Sequence, residues 1–432
     1  MIFVTGLPPH PDVTWPVTGR SLLQHLTGLL AVILGVSGCA GGGGPPGVSP
    51  RPDPHPIVLL ISIDGFRADY LDRPAASGLR ALAAEGVRAR RLHPVFPTKT
   101  FPNHYTLVTG LYPEHHGIVA NTMEDPALGR FTLGDSLAVW NPGWWGGEPI
   151  WVTAERQGVR TATYFWPGSE TRIGGVLPTR TTRYDGSVPH DQRIRRVLEW
   201  LALPEGERPR FVTMYFSVVD DAGHRFGPEA PQVDSAIARV DSAVTALVRG
   251  AGALGLADRL HVLVVSDHGM TPLAPERQIA LDDYVPLDWV RVVDWAPVTA
   301  LVPLDGREED VYRRLRGAHP NMQVFRKHEV PARWQFQDHP RITPLILVAD
   351  DGWTITTRER AASRPATGGN HGYAPEVPNM GGLFVAHGAA FRRGVTVGRV
   401  RSIDVYELLA RLLGVSPAPN DGSPDSVRVV LR

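Results

Sequence analysis

Thr100 stands just before an apolar stretch, where its hydroxyl could serve as a nucleophile at the mouth of a helix. It belongs to the segment PTKTFPNHYTLVTGLYPEHHGIVAN, residues 97–121. A lone threonine before an apolar run is usually a helix cap, and that is the simpler interpretation of this segment by itself. The nucleophile interpretation therefore depends on acidic and imidazole groups elsewhere in the chain.

Carboxylate and imidazole side chains recur at widely separated places, each just after an apolar run or inside a glycine-containing turn. Asp64 ends the first such run, and the others lie in DDAGH from Asp220, SDHG from Ser266 and GNHG from Gly369. Strand ends and loops are where side chains converge on a site. Together with Thr100, this pattern indicates phosphoryl transfer.

Hydrolysis of a phosphate ester needs neutralised phosphoryl oxygens, a nucleophile and a stabilised leaving oxygen, and two divalent ions close together can supply all three. Such ions need a mixed set of carboxylate and imidazole ligands on fixed backbone. The chain offers this set: Asp64, Asp220, His224, Asp267, His268 and His371. Nitrogen and oxygen ligands without thiolate suit zinc best, with manganese or iron as less favoured occupants.

The DDAGH run leaves open which aspartate binds, because Asp220 and Asp221 both precede His224. We expect residues 220–224 to form a loop that folds back at Gly223, so that one carboxylate and the His224 imidazole bind the same ion. An Asp-His pair at a strand end can instead be a hydrogen-bonded structural pair, and His371 considered alone would be a surface histidine. The combination of all these groups favours a metal site.

The elements that must position these groups alternate between apolar strands and amphipathic helices. Continuous apolar runs, typical of strands covered on both faces, are IVLLISID (57–64), FVTMYFSVV (211–219) and HVLVVSDHG (261–269). Residues 74–86 predict a helix, and so does the apolar stripe from Val233 to Leu247, whose Asp234 and Asp241 are interpreted as a solvated face.

The alternation continues late in the chain, through LILVAD (345–350), LFVAHG (383–388) and a helix around residues 403–413. This pattern predicts an α/β fold with a mainly parallel central sheet between helix layers. Residues 271–340 lack the regularity, and we expect them to form a smaller inserted cap. Residues 57–432 would then make one catalytic domain.

Composition indicates a globular body with balanced charge. Hydrophobic residues make up 43% of the 432 residues, and 44 basic residues match 44 acidic ones. The net charge of zero provides no electrostatic attraction for nucleic acid polymers, so we expect no such partner.

The N-terminal residues are typical of an export signal that ends at Cys39. Arg20 and His25 precede an apolar run, Leu26 to Val36, that is too short for a stable transmembrane helix. Small residues then lead to Cys39, the single cysteine, which excludes an intramolecular disulfide.

This pattern predicts a signal peptide over residues 1–39 with a bacterial lipobox, in which Cys39 becomes the lipidated first residue; a plain secretory signal is the alternative. Residues 1–19 carry prolines at positions 8, 9, 11 and 16, so we expect translation to start later, near Val17. Residues 40–56 predict a Gly/Pro-rich tether. Ala40 fits outer-membrane sorting, and we expect an exported protein that is lipid-anchored to the outer membrane and faces the periplasm.

Several motifs resemble those of the nucleotide pyrophosphatase/phosphodiesterase family of the alkaline phosphatase superfamily, from about residue 57 to residue 415: TKTFPNHY, VTGLYPEHHGI, FWPGSE, YDGSVP and DHGM. The resemblance implies an alkaline-phosphatase-like fold, two Zn²⁺ ions per subunit and Thr100 as the nucleophile. It implies that one zinc is held by Asp64, Thr100, Asp267 and His268, and the other by Asp220, His224 and His371. It thereby favours Asp220 over Asp221.

The resemblance also implies substrate-binding residues. Asn121 matches an asparagine that hydrogen-bonds a phosphoryl oxygen, and backbone amides near the helix start would assist it. Phe101 and Tyr184 match aromatics that sandwich the base in nucleotide-cleaving relatives, with Tyr215 lining the same pocket. The alternative is that both tyrosines are ordinary core or rim aromatics.

We therefore expect metal-dependent hydrolysis of nucleotide phosphodiester or pyrophosphate bonds, releasing nucleoside monophosphates through a phosphothreonine intermediate. A phosphodiesterase acting on lysophospholipids or other small phosphate esters is the alternative, because lipid-cleaving members of the family share the metal site. A binding protein without turnover is disfavoured because no ligand residue is missing. A sulfatase is disfavoured because that chemistry needs a cysteine or serine where Thr100 stands. The sequence leaves the oligomeric state open.

Overall fold

The computed structural model describes residues 55–432, in which apolar strands deliver the candidate site residues to one edge of a large sheet. The predicted signal peptide, Cys39 and the predicted tether up to residue 54 lie outside the described residues.

The strands, in chain order, are β1 (Ile57–Ile63), β2 (Val87–His93), β3 (Thr122–Asp125), β4 (Gly129–Thr132), β5 (Thr161–Tyr164), β6 (Arg180–Thr182), β7 (Phe211–Phe216), β8 (Leu260–Val265), β9 (Thr271–Pro272), β10 (Gln278–Ala280), β11 (Val290–Asp294), β12 (Val298–Pro303), β13 (Met322–Arg326), β14 (Leu345–Ala349), β15 (Thr354–Thr356), β16 (Gly369–Asn370), β17 (Phe384–His387) and β18 (Val395–Arg401). The helices are α1 (Ser77–Ala84), α2 (Thr100–Thr109), α3 (Pro113–His116), α4 (Ser136–Val139), α5 (Ile150–Arg156), α6 (His190–Leu201), α7 (Val218–Phe226), α8 (Pro231–Ala253), α9 (Glu308–Leu315), α10 (Arg358–Ser363) and α11 (Val405–Leu413).

The central sheet has eight strands in the order β18-β2-β17-β8-β1-β7-β5-β6. Its neighbouring strands pair in parallel, except that β17 runs antiparallel to both β8 and β2. The predicted α/β architecture with a mainly parallel central sheet is therefore confirmed.

Strand β1 lies in the middle of this sheet and has two buried faces. Val58 and Leu60 pack into the core that includes helices α2, α5 and α11. Ile57, Leu59 and Ile61 pack into the opposite core, which includes α1, α6, α7 and α8. Because both faces are covered by helices, the strand needs apolar residues at consecutive positions.

Residues 271–340, predicted as an inserted cap because their sequence lacks the strand–helix alternation, contain regular strands and a helix. Strands β11, β12, β14 and β13 form a four-stranded antiparallel sheet, which packs with α9 around its own small core. Residues 345–349 of the LILVAD run are β14, which lies between β12 and β13 rather than in the central sheet. An apolar run reports that a strand is buried, but it does not tell which sheet buries the strand.

The interpretation of Asp241 as part of a solvated face is also wrong. Its side chain is buried, and its oxygens accept hydrogen bonds from the backbone N–H groups of Gly78 (2.9 Å) and Leu79 (2.7 Å). These donors are in the first turn of α1, where N–H groups have no partner within the helix. Asp241 on α8 thus accepts hydrogen bonds from the free N–H groups at the start of α1. Asp234 forms an ion pair with Arg73.

Among the helices between residues 55 and 432, none has the length and apolar character needed to cross a bilayer.

Candidate active site

Three adjacent parallel strands, β8, β1 and β7, end at the same edge of the central sheet. Asp64 directly follows β1, and Asp267 follows β8 with one residue between them. Asp220 lies in the first turn of α7, just after β7. Gly65 lets Asp64 and Asp220 approach each other: its φ is +65°, and a Cβ there would lie 2.8 Å from Asp220 Oδ1. Only glycine meets both demands at this position.

The DDAGH run is helical, so the expected loop that folds back at Gly223 is wrong. Asp220 and His224 are one turn apart on α7, with 3.4 Å between Asp220 Oδ2 and His224 Nε2. Gly223 packs against Met270 instead, since a Cβ there would lie 2.9 Å from Met270 Cε. Asp221 is exposed and accepts a hydrogen bond from Ser217 Oγ (3.0 Å), so Asp220 is the aspartate beside the histidine.

His371 comes directly after β16, which pairs antiparallel with β9 over two residues. Strand β9 begins three residues after His268, so this pairing brings His371 close to His268. His371 is 7% exposed, so it is not a surface histidine. Its Nε2 lies 3.1 Å from His224 Nε2 and 3.7 Å from Asp220 Oδ1. The ring of His371 also stacks on that of His268, with 3.5 Å between centroids.

A second group forms around His268. Its Nε2 lies 2.9 Å from Asp267 Oδ2, 3.5 Å from Asp64 Oδ1 and 3.4 Å from Thr100 Oγ1. The structure thus brings all six candidate ligands and Thr100 together. Two groups have ligand atoms within 4.8 Å of one another, Asp64 with Asp267 and His268, and Asp220 with His268 and His371. In this geometry His268 is shared between the groups, and His224 adds to the second one.

The tautomers of the three candidate histidine ligands suit a metal. Each donates its Nδ1–H to a backbone carbonyl: His224 to Gly369 (3.0 Å), His268 to Gly269 (2.9 Å) and His371 to Thr98 (3.0 Å). This leaves Nε2 of each ring for coordination, as is usual for metal-binding histidines.

The carboxylates also fit a site for cations. Asp64 Oδ1, Asp220 Oδ1 and Asp267 Oδ2 are buried and accept no hydrogen bond within the described residues. Burial, followed by repulsion from Asp267 and Asp220, raises the pKa of Asp64 well above its usual range. Burial raises the pKa of Asp220 to about 7, with the charges of Asp267 and Asp221 adding to the shift. Buried carboxylates of this kind need compensating positive charge.

The imidazoles respond to the same charges. Burial, together with His268 and His224, lowers the pKa of His371 well below its usual range, so this ring is neutral, as a metal ligand must be. Burial by itself would lower the pKa of His268, but Asp267 and Asp64 raise it to about 10. The carboxylates around His268 Nε2 therefore favour a positive charge at that atom.

Thr100 is the first residue of α2, yet it does not cap the helix. The cap position is Lys99, and no side chain there bonds to the helix N–H groups. The Thr100 hydroxyl instead contacts His268 Nε2, so the capping interpretation is wrong and the hydroxyl faces the candidate ligands.

Asn121 lines the same cavity as Thr100. Its Oδ1 accepts the backbone N–H of Phe101 (2.9 Å), which leaves its Nδ2 donors for a ligand in the pocket that it lines. The expected help from amides near the helix start is not available after Thr100. The N–H of Phe101 is taken by Asn121, Pro102 has none, and the N–H of Asn103 bonds Lys99 O (3.2 Å).

The predicted substrate-binding aromatics line one cavity of about 510 Å³, which also reaches Thr100 and Asp220. Phe101 packs against Phe131 and Trp145, and Tyr184 is 52% exposed at the rim. Tyr215 lines the cavity too, but its hydroxyl donates to Asp64 Oδ2 at 2.6 Å. Tyr215 is thus tied to a candidate metal ligand, which neither interpretation of the sequence anticipated.

Two further residues escaped the sequence analysis although they lie in motifs that it singled out. His104, one turn after Thr100 in TKTFPNHY, is fully buried, donates Nδ1–H to Thr100 O (2.9 Å) and has Nε2 2.8 Å from Ser62 Oγ. Glu170, the last residue of FWPGSE, accepts hydrogen bonds from the backbone N–H of Tyr184 (2.8 Å) and from Trp140 Nε1 (2.7 Å). It therefore holds the aromatic rim of the cavity.

Comparison with known proteins gives a consistent result. The family model for type I phosphodiesterase/nucleotide pyrophosphatase matches residues 58–374. Human ectonucleotide pyrophosphatase/phosphodiesterase family member 5 is 38% identical over 367 residues, which cover 85% of this chain and 76% of that protein. Human bis(5'-adenosyl)-triphosphatase is 38% identical over 373 residues, covering 85% of this chain and 80% of that protein. The chain spans only 42% of human family member 1, which is 38% identical over 392 residues and 87% of this chain.

A solved structure of murine ectonucleotide pyrophosphatase/phosphodiesterase 5 superposes with a TM-score of 0.83 at 36% identity, covering 87% of this chain and 100% of that one. It is an inactive threonine-to-alanine variant in complex with AMP.

Proposed function

The chain belongs to the type I phosphodiesterase/nucleotide pyrophosphatase family and is a hydrolase of phosphodiester bonds; from that premise we propose that it cleaves nucleotide diesters and pyrophosphates to nucleoside monophosphates through a phosphothreonine on Thr100, with two zinc ions. The observation that carries the proposal is the 3.4 Å contact between Thr100 Oγ1 and His268 Nε2, which places the hydroxyl among the candidate ligands.

The two ions would be held by Asp64, Thr100, Asp267 and His268 on one side and by Asp220, His224 and His371 on the other. When bound, they would neutralise phosphoryl oxygens and lower the pKa of the threonine hydroxyl. His268 belongs to both groups of candidate ligands, which supports a site that would hold more than one cation.

The protein's own groups account for the remaining steps. Thr100 Oγ1 loses its proton to solvent and attacks phosphorus, the bond between phosphorus and the leaving oxygen breaks, and the leaving group departs. The nucleotidyl group is then esterified to Thr100. Asn121 donates Nδ2–H to a phosphoryl oxygen, because its Oδ1 is already held by Phe101 N–H. His104 fixes the backbone of Thr100 through the Nδ1–H bond to the Thr100 carbonyl, so the hydroxyl enters the reaction in one orientation. Attack of water on phosphorus then releases the monophosphate and restores the hydroxyl.

Nucleotide specificity follows from the aromatic end of the cavity. Phe101 and Tyr184 both line it, and aromatic faces stack on any base, which suits a broad nucleotide range. Glu170 bonds the backbone of Tyr184, which supports a pre-formed slot. The AMP complex of the murine relative supports the same substrate class.

Activity of the zinc-loaded protein on phosphate monoesters, nucleotide diesters and choline lipids tests the reaction. We expect nucleotide diesters to be cleaved best, Thr100→Ser to keep measurable activity and Thr100→Ala to keep less than about a hundredth. Circular dichroism and metal content of the alanine variant serve as controls for folding. A higher residual rate would rule out covalent catalysis by Thr100, and efficient cleavage of a choline lipid would favour the lipid alternative.

Tyr184→Ala tests the base slot. Loss of one stacking contact is worth about 1 to 3 kcal/mol, so kcat/KM on a nucleotide diester should fall roughly five- to hundred-fold, chiefly through KM. The small diester bis-p-nitrophenyl phosphate is the control, for which little change is expected. An equal loss on both substrates would contradict a base-specific contact.

We propose in addition that a lipid on Cys39 anchors the exported domain to the outer membrane on its periplasmic side. The proposal is supported by the apolar run before Cys39 and the Gly/Pro-rich residues after it, all outside the described residues. Cys39→Ser should move the protein from the membrane to the soluble fraction of fractionated cells, whereas membrane retention would contradict the anchor.

A further inference from the structure

Strands β2 and β18 at one side of the central sheet carry a concentration of arginine. Their sequences are VRARRLH and VTVGRVR. The parallel register places Arg399 opposite Arg91, and Arg401 opposite His93. Like charges on neighbouring positions of paired strands repel each other, so this arrangement is unfavourable unless negative charge lies nearby.

The C-terminal ends of these strands open into a cavity of about 400 Å³, here called the arginine cavity. Its charged lining consists of Arg333, Arg399, Arg401 and Glu376, and His93 and Trp334 also form part of the wall. It shares no lining residue with the catalytic cavity. Cavities of a few hundred Å³ accommodate small molecules.

The negative charge within reach does not balance the arginines. Arg401 is paired with Asp404 (2.6 Å) and Arg333 with Glu376 (2.7 Å). Arg399 is exposed and forms no ion pair or hydrogen bond with any residue from 55 to 432.

Arg91 lies opposite Arg399 on the neighbouring strand and lines a different cavity, and it forms no ion pair with a carboxylate of the described residues either. Its guanidinium donates to the backbone carbonyls of Pro375 and Val377, the latter at 2.9 Å. These bonds hold the charge in place without neutralising it. Within the cavity wall itself, Arg401 and Arg333 are paired with carboxylates, and Arg399 is the arginine in excess.

His93 responds to this charge. Burial, and then the charges of Arg91 and Arg399, lower its pKa to about 4, so the ring is neutral near pH 7. Its Nδ1 is buried and has no hydrogen-bond partner within the described residues. A buried polar atom of this kind costs free energy unless a ligand or water reaches it.

We propose that the arginine cavity is a second anion-binding site, separate from the catalytic site, that takes a phosphoryl group. The planar guanidinium of Arg399 suits phosphoryl oxygens, which accept two parallel N–H bonds from arginine. Arg401 binds Asp404 through Nε and Nη2, which leaves its Nη1 for a further bond to the anion. His93 Nδ1 is available as one further donor. Trp334 provides an apolar surface in the same cavity, which an organic group attached to the phosphate could contact. The phosphoryl group can therefore belong to a soluble phosphate or to a lipid headgroup.

The first experiment measures binding of inorganic phosphate to the zinc-loaded protein by isothermal titration calorimetry at low ionic strength. We expect two phosphates per chain, one at the catalytic metals and one in the arginine cavity. Arg399→Gln should weaken the second site about ten-fold or more, because it removes a charge-assisted contact. The control is Arg313→Gln, which removes the same charge from an exposed position on α9.

A crystallographic experiment locates the anion directly. Crystals of the zinc-loaded protein soaked in tungstate should show an anomalous peak beside Arg399, and crystals of Arg399→Gln should lack it. Absence of that peak in the unmodified protein, or equal weakening by Arg313→Gln and Arg399→Gln, would overturn the proposal. Turnover of a nucleotide diester should change less than about two-fold in Arg399→Gln, which separates this site from the catalytic one.

Vesicles distinguish the two sources of the phosphoryl group. Sedimentation with phosphatidylglycerol vesicles, compared with phosphatidylcholine vesicles, should depend on Arg399 if the ligand is an anionic headgroup. If phosphate binds through Arg399 and vesicles do not, the ligand is a soluble phosphate. If neither binds through Arg399, the cavity is not an anion site.

Discussion

The hydrogen bond from Tyr215 to Asp64 makes a direct test of the metal site, because it can be removed without removing a ligand. The Tyr215 hydroxyl donates to Asp64 Oδ2 at 2.6 Å, while Asp64 Oδ1 accepts no hydrogen bond within the described residues. In Tyr215→Phe the ring would keep its contacts with His104 (5.3 Å between centroids) and Tyr184 (5.9 Å). Only the donor to the buried carboxylate is lost.

Two estimates of the magnitude agree. A hydrogen bond to a charged group contributes about 1.5 to 3 kcal/mol. Removal of a partner that orients a metal ligand lowers metal affinity about 10- to 100-fold, which corresponds to about 1.4 to 2.8 kcal/mol. We therefore expect Tyr215→Phe to bind zinc 10- to 100-fold more weakly than the unmodified protein.

Competition with a chromogenic zinc chelator measures this affinity. The matched control is Tyr184→Phe, which removes the hydroxyl of an exposed tyrosine in the same cavity that forms no hydroxyl hydrogen bond within the described residues. Its zinc affinity should stay within about two-fold. If Tyr215→Phe also stayed within that range, the bond would not stabilise the metal-binding form of Asp64. An equal decrease in both variants would indicate a general effect of cavity polarity.

Three further variants and one control test other parts of the structure. His371→Ala should reduce zinc from two ions toward one per chain by elemental analysis, because its Nε2 is central to the second ligand group; two ions still bound would refute the assignment. Asp241→Ala should lower the free energy of unfolding in urea by about 1 to 3 kcal/mol, because two N–H groups of α1 lose their acceptor. Asp234→Ala, which removes a half-exposed carboxylate from the same helix, should cost less than about 1 kcal/mol. Burial lowers the pKa of His116 from 6.5 to about 3. Between pH 6.5 and pH 3 the imidazole therefore binds a proton in the unfolded chain but stays neutral in the folded one. The free energy of unfolding decreases as the pH falls through this range. The slope from this group is about 1.4 kcal/mol per pH unit, and His116→Gln should remove it from urea unfolding measured between pH 6 and pH 4; an unchanged slope would contradict a neutral buried ring.

The identities of the candidate site residues could be predicted because their signals are local. Asp64 comes directly after β1, and Asp267 comes after β8 with Ser266 between them. Both strands are apolar except at Ser62 and His261, and parallel strands that lie side by side end at one edge of their sheet. That reasoning also led to the confirmed α/β fold. Carboxylate and imidazole chemistry then indicated a metal site before any distance was known.

Local pattern failed where the outcome depended on which distant element lies alongside. Helical and loop conformations both allow a carboxylate and an imidazole four residues apart to meet, so DDAGH could be taken for a loop although α7 is a helix. The apolar sequence of β14 predicts that the strand is buried. It does not predict that β14 pairs with β12 and β13.

The bonds that only the tertiary structure decided join residues far apart in the chain. Asp241 differs from a solvated aspartate only because α1 begins beside it, and Tyr215 reaches Asp64 across 151 residues. The pairing of Arg399 with Arg91 likewise depends on the register between β18 and β2. Residue type and periodicity report how buried a position is and what chemistry it offers, whereas the identity of its partner is set by how the strands and helices pack together.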